Sequence, residues 1–131
     1  MGAEPQQTRP FSYTILQVVP CIERDERLNA GVALLCRQHD FLDIRIGLGQ
    51  RRLAALAPGT DYSAICDRLD DVRRIIEGGS GSGVLGGMPA SERFGWLAAP
   101  SSTVIQSSSV HTGMTADPAA ELERLFQALV S

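Results

Sequence analysis

Apolar and polar positions alternate from Phe11 to Val19, and the segment is rich in β-branched and aromatic residues. Both features predict a strand, because period-two alternation fits a pleated, half-buried surface. Pro20 ends it, and Glu23-Arg24-Asp25-Glu26-Arg27 is a charged connector. Asn29 leads into Ala30–Cys36, a short apolar run that reads as a buried strand. Arg37-Gln38-His39-Asp40 has turn composition. Phe41–Ile46 then alternates, with Phe41, Asp43 and Arg45 on one face and Leu42, Ile44 and Ile46 on the other. The last two strands form an antiparallel hairpin. Helical spacing follows: Leu53 and Leu56 suggest a short helix stopped at Pro58-Gly59. Thr60 or Asp61 caps the next, where Ile65, Leu69, Val72 and Ile76 form one stripe and Gly78 ends it.

Residues 78–87 are rich in Gly and Ser, yet no Lys-Ser/Thr follows and a helix precedes them. A phosphate-cradling loop needs both that lysine and a preceding strand, so this stretch reads as a plain mobile loop. Ser91–Leu97 is a short helix or turn that delivers Phe94 and Trp96 to the core, and Thr103–Gln106 is a short strand. Ser107–Thr115 is a polar loop containing His111 and Gly113. Asp117-Pro118 makes a strong helix start, and Leu122, Leu125, Phe126 and Leu129 form the stripe that follows. The expected architecture is α+β: a mainly antiparallel sheet of about four strands, with two to four helices packed on it. One sheet face is expected to carry Tyr13/Ile15, Val32/Leu34, Leu42/Ile44/Ile46 and Val104 together, with the terminal helix on top. Residues 1–10 read as a flexible lead-in and 11–130 as one domain, as 131 residues suggest.

Composition removes several chemistries. All twelve cationic side chains are Arg, so no lysine-dependent phosphate loop or Schiff base is possible. A formal charge of −3 with dispersed arginines disfavours broad nucleic-acid binding. Cys21, Cys36 and Cys66 follow no metal-ligand spacing and suggest reduced thiols in a cytoplasmic protein. The N-terminus lacks the basic and apolar regions of a signal peptide, and no apolar run approaches the roughly 18 residues of a membrane span. No cofactor is implied.

Candidate chemistry concentrates in residues 101–115, where hydroxyls surround His111 and Asp117 lies near. A hydroxyl nucleophile needs a base within reach and a group to orient that base, but no GxSxG elbow occurs. The leading reading of the loop is structural, with hydroxyls capping turns and His111 hydrogen-bonded to backbone; a binding surface for a protein or an anionic ligand comes next, and a catalytic Ser/His pair last. His39 has no HxxxH or HxH partner, so no metal site is expected. Carboxylate pairs such as Asp70/Asp71 read as solvated charge.

Tyr13–Val19, Glu26–Leu35, Ser91–Leu97, Ala99–Gln106, Val110–Gly113 and Asp117–Leu125, in that order, resemble the domain of unknown function 3037 family, small bacterial proteins. The resemblance covers about residues 11–130 and implies no particular activity. Some such proteins are encoded beside HipA-like kinase domains, which suggests a protein partner. The chain departs from the family pattern at Ser101-Ser102, where Arg-Ser is usual, and at Ser107 and Ser109, where prolines are usual. The expected function is a non-enzymatic interaction module or kinase accessory; the alternative is a small enzyme or anion-binding domain using residues 101–115. If the family motifs converge, Arg27, Asn29, Arg93, Ser102, Thr103, Gln106, His111 and Thr112 meet on one donor-rich rim suited to an acidic side chain or phosphate. Otherwise Arg93 pairs with Glu92 or Glu121.

Overall fold

The computed structural model describes residues 7–79, 83–99 and 103–130. Five strands form one antiparallel sheet: β1 (Arg9–Val18), β2 (Leu28–Cys36), β3 (Phe41–Ile46), β4 (Ile105–Ser107) and β5 (His111–Thr115). β1 lies between β2 on one side and both β4 and β5 on the other. Five α-helices accompany them: α1 (Gln50–Leu56), α2 (Tyr62–Glu77), α3 (Gly83–Gly86), α4 (Ala90–Ala98) and α5 (Pro118–Leu129). The α+β class and the antiparallel sheet agree with the sequence pattern. The fifth strand comes from residues that read as a loop, and β1 begins at Arg9 rather than Phe11.

The helix starts follow their caps. The Asp61 carboxylate accepts from the Ala64 amide at 3.1 Å, and Asp117 accepts from Ala120 at 3.2 Å with Pro118 in the first turn. Each satisfies an amide that the first turn leaves without an intrahelical partner. Gly78 closes α2 with φ +76, a left-handed conformation that favours glycine.

Helices cover both faces of the sheet. Leu16, Val18, Ala33, Leu35 and Ile44 pack with Leu53, Ile65, Leu69, Ile76, Phe94 and Leu97 from α1, α2 and α4. Phe11, Val32, Leu34 and Cys36 pack with Leu122, Leu125, Phe126 and Val130 at α5. Every residue from Ala30 to Cys36 is therefore buried, which explains why β2 is apolar without alternation. This arrangement corrects the single mixed face expected from the sequence. Leu34 is registered against Asp43 and Leu35 against Leu42. Paired residues share a face, so Val32 and Leu34 lie toward α5 while Leu42, Ile44 and Ile46 lie toward α2.

β4 and β5 act as one interrupted strand along β1. At the interruption the Ser108 amide donates to the Ile15 carbonyl at 2.8 Å, and the Ser108 Oγ accepts from the Ile15 amide at 2.9 Å. Buried Thr14 donates its hydroxyl to the Ser108 carbonyl at 2.8 Å. Hydroxyls thus replace ladder hydrogen bonds where the chain bends.

Candidate functional site

The residues expected on one rim separate into distinct places. Arg27 ion-pairs with Asp25 and donates to Gln17 Oε1 at 3.1 Å. Gln17 in turn donates to Asn29 Oδ1 at 3.1 Å, and Asn29 Nδ2 donates to the Leu129 carbonyl at 3.0 Å. Gln106 is the register partner of Gln17 and bonds the Thr103 carbonyl at 2.9 Å. Gln17, by its alternation an ordinary strand position, thus joins Arg27 and Asn29 through its side chain, with Gln106 beside it only as register partner. This cluster ends on the C-terminus of α5.

Arg93 belongs to the opposite, helical layer. Its Nη1 donates to the Met88 carbonyl at 2.6 Å, and its guanidinium lies against Gly78 at the end of α2. Its Nε is buried without a partner. It meets neither Arg27 nor the expected carboxylates Glu92 and Glu121, because α4 points it back toward the α2–α4 connection. The common donor-rich rim is not assembled. Ser102 lies outside the described residues.

The hydroxyl-rich segment is committed mainly to backbone. Ser107 Oγ donates to the Leu97 carbonyl at 2.7 Å, Ser108 Oγ to Ser109 at 2.9 Å, and Thr103 Oγ1 to Ile105 at 2.7 Å. His111 is exposed on β5 and stacks on Tyr13, with centroids 5.1 Å apart; Tyr13 stacks on Phe11 at 6.1 Å. Asp117, the nearby carboxylate, is spent capping α5. Among the described residues, no group of three or more His, Cys, Asp or Glu side chains is placed to hold a metal, and no helix is long and apolar enough to cross a membrane.

What the geometry does bring together is the free edge of the sheet and a groove beside it. β5 pairs with β1 on one side only, and among the described residues no strand pairs with its other side. The sheet's opposite edge, β3, is guarded: its outward Ile44 amide is taken by the neighbouring Asp43 carboxylate at 2.8 Å, and Arg45 ion-pairs with Glu123 of α5. β5 (His-Thr-Gly-Met-Thr) carries no such charge. Met114 is 61% exposed and Val110 45%. Between α4 and the sheet face runs a groove of about 430 Å³ that reaches from Arg37 and Gln38 after β2, past Ser12 of β1 and Gly95 of α4, to Val110 and Thr112 at this edge. Of the expected site residues, only Thr112 lines it.

A family model described as "Protein of unknown function (DUF3037)" matches residues 13–130. The chain belongs to the DUF3037 family. That match covers every strand and helix of this DUF3037 protein except the first residues of β1. No curated protein and no solved structure matches the chain.

Proposed function

We propose that this DUF3037 protein is a protein-interaction module of the bacterial cytoplasm that takes an extended segment of its partner onto β5. The observation that carries this reading is the unguarded β5 edge beside the α4 groove. An added strand gains main-chain hydrogen bonds along an edge, and alternate side chains enter any pocket beside it. Gly95 and Ala98 leave room on α4 for one apolar side chain, and Val110 and Met114 supply exposed apolar surface for its neighbours. Edges that need no partner are usually blunted by charge, as β3 is. A HipA-like kinase, the neighbour suggested by the family resemblance, is the first partner to test.

The experiment is a pull-down from the native host with the wild-type chain and with Met114→Lys, which places a charge on the free edge. Met114 is exposed, so the variant is expected to keep its melting temperature. The reading requires a protein recovered by wild type and lost with Met114→Lys. Equal recovery by both, or no partner at native expression, defeats it.

A further inference from the structure

α4 has a second flank, away from the β5 groove, and there the structure holds a cavity of about 490 Å³ between α2, α4 and β4. That volume lies within the range of small-molecule sites, roughly 300–1,000 Å³. One wall is α2, where Arg68, Val72 and Ile75 recur at helical spacing; Trp96 of α4 and Ile105 of β4 line it as well. Trp96 is the only tryptophan of the chain. The sequence pattern assigned it to the core, but Phe94 and Leu97 take the buried positions of α4 and Trp96 is left 38% exposed. A large ring open to solvent on a cavity wall is an unfilled stacking surface.

The charge in the cavity points to the head group. Arg73 ion-pairs with Asp70 and Glu77, and Arg74 with Asp70 at 2.8 Å. Asp71, which also lines the cavity, lies 3.9 Å from Arg74. Arg68 has no carboxylate within ion-pair distance among the described residues, although Asp71 follows it by one helical turn. Among the described residues it is the one arginine of α2 in no ion pair, and it stands on the cavity wall. The two hydroxyls there, Ser107 and Thr103, already donate to main-chain carbonyls. Arg68 is thus the cationic donor available for a ligand, and a guanidinium selects a planar anion in bidentate geometry.

We infer that this cavity binds a small aromatic carboxylate, its ring against Trp96 and the Val72–Ile75 wall, its carboxylate on Arg68. The site shares no lining residue with the β5 groove and stands independently of the partner-binding role.

The single indole N–H gives one resonance in a nitrogen–proton correlation spectrum, so Trp96 reports its own site. Titration with 2-naphthoate should move that resonance saturably at millimolar probe. Arg68→Gln removes the cation at an exposed position and should leave the melting temperature unchanged. It should weaken 2-naphthoate about tenfold or more, the scale of one charge-assisted contact, while binding of neutral 2-naphthamide stays the same. Trp96→Leu, followed by calorimetry, should weaken both probes. The inference is overturned if wild type shows no saturable shift, or if Arg68→Gln leaves the affinity for 2-naphthoate unchanged.

Discussion

Ser108 does with one side chain what the main chain cannot do at a bend: its Oγ supplies the acceptor for the Ile15 amide. Removing it with Ser108→Ala leaves a donor in a partly buried place without a partner, at an expected cost of about 1–3 kcal/mol in denaturant unfolding. Gly113 shows a different constraint, because a Cβ there would stand 2.7 Å from the Phe11 ring. Gly113→Ala must push that buried ring aside and should cost about 1–3 kcal/mol, read the same way. Asp70 sets a pH dependence. The hydrogen bond from Arg73, opposed in part by desolvation, holds its carboxyl below the ordinary value of 3.8. The charged form is thus favoured on folding, so this stabilisation is complete above the ordinary carboxylate pKa and is lost as pH falls through the lowered one. Acid titration of Asp70→Asn should show a shallower loss of stability below about pH 4 than wild type. The sequence made the hydroxyls legible as backbone partners but not the role of His111. Its stacking on Tyr13 depends on a β1–β5 register of residues almost a hundred positions apart.

Strong periodicity made α2 and α5 legible, and the caps Asp61 and Asp117 stand where their side chains predict. α5 is fixed at its far end from outside: Asn29 of β2 donates to the Leu129 carbonyl, and Arg52 of α1 to Val130 at 2.6 Å. Its ring anchor, Phe126, lies under the Arg45 guanidinium, 4.6 Å from the ring centroid. Phe126→Ala is expected to cost about 3–5 kcal/mol by chemical denaturation. β5 carries no strand signal in the sequence because Met114 is its one apolar side chain, Gly113 weakens strand propensity, and its threonines are equally common in polar loops. The candidate rim failed for a related reason. Motifs close in sequence pattern were divided by the sheet, with Arg27 and Asn29 on the α5 side and Arg93 in the α2–α4 layer.

At the scale of the molecule, two separate apolar clusters lie on the two faces of one sheet. Ile76→Val in one and Leu122→Ala in the other should each destabilise, by about 0.5–1.5 and 2–5 kcal/mol. Their double variant should equal the sum within about 0.5 kcal/mol if the chain unfolds as one cooperative unit. The interrupted β4–β5 strand has a further consequence, which concerns time. β1, β2 and β3 follow one another along the chain and can pair as soon as they leave the ribosome. The other side of β1 must wait for a partner 94 positions downstream, as the Thr14–Ser108 bond records. Closing so long a loop is entropically slow, so this seam should be the last to zip and the first to open. Ser108→Ala would then hasten unfolding in a chevron experiment while leaving the folding rate almost untouched.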